Sequence, residues 1–280
     1  MGFYSPAVLV KDAQRHGLRI KPIDVQRSEW ACTIEHDGEK LRLRMGLGYA
    51  KGLRKRTVET LVEERKRGLF RSVEDLALRV PLLDKRELVR LAGVGALNPI
   101  ENVEHRRDAL WQVERAGKLE GPLLRQNSNL LVEDSGGLPL AQMDTQERLV
   151  ADYDGTGLTT GHYPMHYRRD ELRKQGIHTA EELKCVRDGA RVVSAGCVIA
   201  RQRPGTAKGF IFISMEDETG IANVIVTPDL YEQYRVVVTR ARFLYVEGKL
   251  QNQDGVIHIK VHHLAPLADG DLMMTSHDFH

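Results

Sequence analysis

An α+β chain of several domains, a helical half followed by a small closed β-barrel, is the fold the sequence predicts. Three observations predict it. From Gly46 to about Gly117 apolar residues recur at helical spacing, as in Val58, Leu61 and Val62. From Val192 onward the period switches to two, over five short apolar segments. Between these regions "QNSNLLVEDSGGLPLAQ" is polar, glycine-bearing and weakly periodic, the mark of a linker.

Taken in order, "SPAVLVKDAQRHG" opens a helix with Ser5 as N-cap and Pro6 at its first position, and Gly17 closes it. Val8, Leu9 and Ala13 are expected on its inner side. "LRIKPIDV" and "WACTIEHDGEKLRLRMG" read as short strands, with Asp37-Gly38 as a hairpin turn. Ser72 caps "VEDLALRV", whose first turn holds Glu74 and Asp75 and which Pro81 ends. Asp84 starts "KRELVRLAG". "VEHRRDALWQVERAG" is a further helix with Ala109, Leu110 and Val113 inward and Trp111 expected in the core. "MDTQERLVADYDG" and the stretch after Pro164 are helical, separated by a glycine-threonine loop that lacks the Gly-Lys-Ser/Thr ending of a nucleotide-binding loop.

"RVVSAGCVIARQR", "GFIFISMED", "GIANVIVT", "RFLYVEGKLQ" and "GVIHIKVHHL" are five strands, with the helix "PDLYEQYRVVV" between the third and fourth. The order β-β-β-α-β-β is that of the five-stranded OB-fold barrel, with Gly196 suited to the bend that closes it. The resulting division is 1–40, a tandem helix-hairpin-helix region 41–117, a linker with helical segments 118–186, an OB-fold domain 187–268 and a tail 269–280.

The net charge of +2 hides an uneven distribution. Residues 40–92 carry 15 basic and 7 acidic side chains, whereas 93–186 carry 11 and 15. A basic block between acidic ones is the electrostatic footprint of a polyanion site. Within it, "MGLGYAKGLRKRTVETLVEER" places glycines and cations ahead of a helix. The first amides of a helix have no intrahelical partner and, with the helix dipole, favour a phosphate. Lys51, Gly52, Leu53, Arg54, Lys55 and Arg56 form the candidate contact with a duplex backbone. Leu53 plugs inward while Lys51, Arg54, Lys55 and Arg56 ring the phosphate. Arg54 stands where the usual Gly–hydrophobic–Gly pattern has its second glycine. "LAGVGALN" keeps that pattern at Gly93-Val94-Gly95 without an adjoining cation. The alternative for both is a tight turn between packed helices.

On the barrel, Arg201, Arg203, Lys208, Phe210, Phe212, Lys249, His258 and Lys260 are the candidates for a single strand, by base stacking beside a basic groove. Phe210 and Phe212 share a face, and at least one of them is expected in the core. His262 and His263 point to opposite faces of a strand and cannot chelate one metal together. In "MEDETG", Glu216, Asp217 and Glu218 sit at a turn and read as a solvated hairpin. No paired carboxylates, His-Glu-x-x-His, Gly-x-Ser-x-Gly or Cys-x-x-Cys arrangement marks an active site. No catalytic residue and no metal ligand is assigned.

The segments "MGFYSPAVLVKDAQRHGLRIKPIDVQRSEWACTIE", "RMGLGYAKGLRKRTVETLVEERKRGLFRSVEDLALRV", "HRRDALWQVERAG", "DYDGTGLTTGHYPM" and "KGFIFISMEDETGIANVIV" together resemble the C-terminal third of bacterial C-family DNA polymerases. "RRDALWQV" and the terminal "HDFH" are more similar to the error-prone, damage-tolerant branch, a DNA polymerase III alpha-subunit-like lineage. The resemblance implies that residues 1–40 end the fingers region and that the helix-hairpin-helix and OB-fold domains grip duplex and template. It implies that the palm carboxylates, with their Mg2+ and dNTPs, belong to an upstream part, so that this chain holds no cofactor and does not polymerise alone. Partners implied are DNA, duplex and single-stranded, and, indirectly, other damage-tolerance subunits or a sliding clamp. No clamp-binding peptide of the Gln-x-x-Leu-Phe kind is found in 118–150. A non-catalytic adaptor that binds proteins is the competing reading.

No run of 18 apolar residues and no signal peptide is found, and Cys32, Cys185 and Cys197 share no ligand spacing. A cytoplasmic protein without a membrane partner is expected.

Overall fold

In the computed structural model, residues 4–38, 40–116, 140–253, 256–267 and 277–279 are described. In chain order the elements are α1 (Pro6–Arg15), β1 (Arg19–Lys21), β2 (Thr33–Asp37), β3 (Lys40–Arg44), α2 (Lys55–Lys66), α3 (Val73–Arg79), α4 (Lys85–Gly93), α5 (Arg106–Ala116) and α6 (Thr145–Thr156). They continue as α7 (Arg169–Lys174), α8 (Ala180–Leu183), β4 (Arg191–Gln202), β5 (Ile211–Glu216), β6 (Ile221–Val226), α9 (Pro228–Arg240), β7 (Phe243–Gln253), β8 (Val256–Pro266) and β9 (His277–Phe279). None of the described helices is long and apolar enough to cross a membrane. Two compact units result: Leu18–Thr160, and Met1–Gly17 with Gly161–His280. The first 17 residues and residues 161–186 thus group with the barrel, and residues 18–40 with the helices.

The helical unit begins with a three-stranded sheet in the order β1-β3-β2, where β1 runs parallel and β2 antiparallel to β3. Its helices are delimited by side-chain chemistry. Ser72 Oγ accepts from Asp75 N at 3.0 Å at the head of α3. Asp84 and Glu87 form a reciprocal capping box on α4, and Asp144 and Glu147 another on α6. Leu61, Phe70, Leu76, Leu91, Leu97 and Ile100 are buried at its centre. Trp111, expected in the core, is 46% exposed, because Ala109 and Val113 take the inner face of α5. Residues 117–139, the first part of the expected linker and most of the segment read for a clamp-binding peptide, lie outside the described residues.

In the other unit β5-β6-β8-β7-β4 are neighbours, and β4 also pairs with β5, so five strands close into a barrel. The long β4 makes closure possible. Its first half, Arg191–Cys197, pairs with β7 and its second half, Cys197–Gln202, with β5. Gly196 marks the crossover, where a Cβ would stand 3.0 Å from both Glu216 O and Met215 Cβ. The short β9 lies parallel to Ala200–Gln202 of β4. Ile211, Ile213, Met215, Val224, Leu250 and Ile259 are among the residues filling the interior. Phe210 and Phe212 are absent from that interior: the alternation of β5 sends Ile211 and Ile213 inward instead. On α1 Val8 and Val10 are buried and Leu9 is exposed, the reverse of the expected assignment for Leu9.

Candidate nucleic-acid interface

The glycine-rich bend is a short 3-10 turn, Leu47–Tyr49, followed by Lys51-Gly52-Leu53-Arg54 and then α2. Gly52 has φ +83° and open space where a Cβ would stand, so backbone conformation, not a close neighbour, requires glycine there. Leu53 is buried beneath the bend as expected. The Arg54 side chain makes no cap bond to α2, so the N–H groups of Lys55, Arg56 and Thr57 have no intrahelical partner, although Thr57 is itself buried, its Oγ1 3.5 Å from Glu87 Oε2. Lys55 and Arg56 are exposed beside them, Lys55 4.0 Å from Glu59 and Arg56 without an ion-pair partner among the described residues.

Two of the expected phosphate ligands are committed elsewhere. Lys51 Nζ donates to Tyr153 O at 3.0 Å, and Lys51 N donates to Gly155 O at 2.8 Å. Arg54 donates from its backbone N to Glu87 Oε1 at 2.9 Å and from Nη2 to Glu87 Oε2 at 2.7 Å. Its Nη2 also reaches Leu82 O at 2.7 Å and Asp84 Oδ2 at 3.3 Å. Hydrogen bonding to Glu87 holds the Arg54 guanidinium more firmly charged than usual. Burial pushes the Glu87 carboxyl up, but the hydrogen bonds from Arg54 and Asp84 and the Arg54 charge outweigh it and hold it below the ordinary range. Arg54 is therefore a tie between two hairpins, which accounts for a charged residue where a glycine is usual.

The second of those hairpins, Val80–Asp84 before α4, was missed by sequence reasoning, which looked to Gly93–Gly95. A repeat could have found it. Leu53-Arg54-Lys55-Arg56-Thr57-Val58 aligns with Leu83-Asp84-Lys85-Arg86-Glu87-Leu88, and Leu61 with Leu91. The aligned Leu53 and Leu83, Val58 and Leu88, Leu61 and Leu91 are all buried, and both Lys-Arg pairs are exposed. The copies differ at the cap. Asp84 Oδ1 accepts from Glu87 N at 2.9 Å and closes the α4 amides behind a carboxylate. Gly93-Val94-Gly95 is the C-terminal end of α4, where carbonyls gather and the dipole opposes an anion. Gly95 has φ +77°, so backbone conformation requires glycine there, and a Cβ would also stand 2.7 Å from Arg106 Nε.

On the barrel, strand register gathers one outer row. Phe212 pairs with Ile225, Ile225 with Lys260, Lys260 with Lys249, and Lys249 with Arg191. The next row on that face holds Ser214, Asn223, His258 and Gln251. Lys249 and Lys260 are exposed; Phe212 and His258 are half-buried. Arg191 was not among the expected residues, although its register with Lys249 puts it there. Arg203 and Lys208 are exposed on the β4–β5 connection, which Phe210 ends, and the Arg203 guanidinium lies 4.7 Å from the Tyr231 ring centroid. Arg201 leaves the set. It is buried, and its Nε donates to Val238 O at 2.7 Å and its Nη2 to Ala241 O, tying α9 to the barrel.

The acidic turn after β5 is not a solvated hairpin. Glu216 is 1% exposed and accepts from Arg15 Nη2 at 2.9 Å; burial pushes its carboxyl up to about 7 against the pull of Arg15. Asp217 accepts from Ala180 N at 2.8 Å and Thr219 N at 2.7 Å, and Arg169 bridges Asp217 and Glu218. These carboxylates are spent on holding α1, α7 and α8 to the barrel. His262 and His263 do part company: His262 approaches Glu247, while His263 meets Tyr234 Oη at 3.1 Å. Among the described residues no group of three or more His, Cys, Asp or Glu side chains could hold a metal ion.

A helix-hairpin-helix motif family matches residues 17–109, and an OB-fold nucleic acid binding domain family matches residues 192–267. The error-prone DNA polymerase of Alkalilimnicola ehrlichii is 39% identical over 283 residues, covering 100% of this chain and 27% of that protein. This chain is similar over its whole length to part of an error-prone DNA polymerase. Error-prone DNA polymerase 2 of Rhizobium meliloti is 37% identical over 277 residues, covering 96% of the chain and 25% of its own length. The error-prone DNA polymerase of Anaeromyxobacter dehalogenans is 39% identical over 289 residues, with coverages of 100% and 25%. The chain thus spans about a quarter of the length of the error-prone DNA polymerases it matches, corresponding to their C-terminal part. Among solved structures, asparaginyl-tRNA synthetase from Pyrococcus horikoshii is 26% identical over 34% of this chain and 23% of its own, with a TM-score of 0.30.

Proposed function

We propose that this chain is the DNA-holding part of an error-prone polymerase. The uncapped N-terminus of α2 takes a duplex phosphate, with Lys55 and Arg56 beside it. The barrel row of Phe212, Lys260, Lys249 and Arg191, with Arg203 and Lys208 at its lip, takes the single-stranded template. The observation that carries the reading is the asymmetry of the repeat: a cationic, uncapped α2 against an α4 closed by Asp84. Only the first offers amides and charge together to an anion. Nucleotide addition, with its palm carboxylates, Mg2+ and dNTPs, belongs to the rest of the polymerase. Contacts with damage-tolerance subunits, and through them a sliding clamp, in the cytoplasm complete the proposal.

Titrating the chain with duplex and single-stranded oligonucleotides at several salt concentrations tests it. Lys55→Glu with Arg56→Glu should weaken duplex binding at least about tenfold and lower the salt slope by about 2, one contact's worth for each cation. Single-strand binding should change much less. Equal loss on both substrates, or none, overturns the division of roles, and no binding to any DNA at low salt favours the protein-binding adaptor.

A further inference from the structure

Ahead of α7 the chain makes a 3-10 turn, Pro164–Arg168, that neither the hairpins nor the barrel face accounts for. Tyr163, Pro164 and Met165 are buried and anchor it. Lys11 Nζ holds its approach by donating to Gly161 O at 2.5 Å. Anchoring one side turns the other out. His162, His166 and Tyr167 are all exposed, Tyr167 by 47%. The two imidazoles stack with centroids 4.2 Å apart and planes 14° from parallel. Tyr167 stands edge-on to both, at 6.1 and 5.6 Å.

Three exposed rings held on a rigid turn are a surface with a definite chemistry. It does not suit a metal, because imidazole lone pairs lie in the ring planes and near-parallel rings do not aim them at one point. It does suit another flat ring, which can continue the column that the two imidazoles begin. The charge is right for a ring that carries a phosphate. No acidic residue lies between Asp154 and Asp170, and Arg168, half-buried and 3.9 Å from Glu171, brings a cation to the end of the stretch, whereas Arg169 is buried against Asp217 and Glu218. A sequence-tolerant aromatic platform beside cations is how single strands are held.

We propose that His162, His166 and Tyr167 form a base-stacking platform for single-stranded nucleic acid, additional to the outer row of the barrel. The proposal rests on the reading of this chain as a DNA-holding part and extends it to a contact made through bases. The immobilised turn keeps the ordering cost of the contact low, since the rings are already placed before the strand arrives.

The test measures anisotropy of a labelled oligothymidylate, an abasic strand of equal length and a duplex against the full chain at low salt. His162→Ala with His166→Ala should weaken oligothymidylate binding at least about fivefold, the factor expected for one lost stack. Duplex binding should stay within about twofold, and abasic-strand binding should hardly change, because no base is there to lose. His162→Phe with His166→Phe keeps flat faces and should restore oligothymidylate binding. Unchanged oligothymidylate affinity in the alanine variant, equal loss on the abasic strand, or failure of phenylalanine to restore binding overturns the platform. If the unaltered chain binds no DNA, the platform falls together with the reading beneath it; if the unaltered chain binds and the alanine variant matches it, the platform alone falls.

Discussion

Replacing Glu87 by glutamine isolates the tie between the two hairpins. The Glu87 carboxylate is 3% exposed and accepts from Arg54 N at 2.9 Å, Arg54 Nε at 3.1 Å, Arg54 Nη2 at 2.7 Å and Asp84 N at 3.2 Å. Glutamine keeps the shape but turns an NH2 toward donors and a cation. Breaking a fully buried ion pair costs about 3–5 kcal/mol. The Arg54 side chain is 58% exposed and can rehydrate, so solvent screening lowers the expectation to about 2 kcal/mol. For a unit of this size that is a fall in Tm of about 5–8 °C. Trp30 and Trp111 are the two tryptophans of the chain and both lie in the helical unit, so their fluorescence follows that unit's unfolding. The effect also carries a pH signature. A carboxyl lowered in the folded state lends stability above its unfolded value of 4.5 and loses it as the pH falls. The variant and the unaltered chain should therefore converge in acid. A difference at pH 7 below about 0.5 kcal/mol, a range typical of plain surface changes, would refute the tie.

Glu216 acts with the opposite sign. Its carboxyl is raised from 4.5 to about 7, so it favours the folded barrel unit fully below pH 4.5 and that contribution drains as the pH rises through 7. The loss is about 3 kcal/mol in order of magnitude, and Glu216→Gln should flatten the stability profile between pH 5 and 8; a variant that keeps the wild-type slope counts against it. Cys197 is buried and its thiol pushed up to about 12 by burial, against a hydrogen bond from Tyr163, while Cys185 is exposed. Iodoacetamide on the native chain at pH 8 should label Cys185 first and reach Cys197 only after unfolding, as peptide mass mapping would report; early Cys197 labelling contradicts the packing.

Local chemistry made much of the chain readable in one dimension. Ser5, Ser72 and Asp84 announced their helices because a cap is a contact across three residues. The period-two runs and the helix before Phe243 specified the barrel order, since alternation depends on neighbours only. Leu53 beneath the bend and the exposed Lys55-Arg56 pair followed from the same local pattern. Which charges were free did not. Arg54 and Arg201 look like DNA ligands in sequence, yet their partners are Glu87 and the carbonyls of Val238 and Ala241, each more than thirty residues away. Glu216 and Asp217 look solvated, yet Arg15 and Ala180 come to them from remote segments. The inward choice of Ile211 over Phe212, and of Ala109 over Trp111, was likewise set by which face met its neighbours. Helix, strand and turn are decided by interactions within a few residues. Exposure, pairing and protonation depend on what folding brings alongside, and only the tertiary structure supplies that.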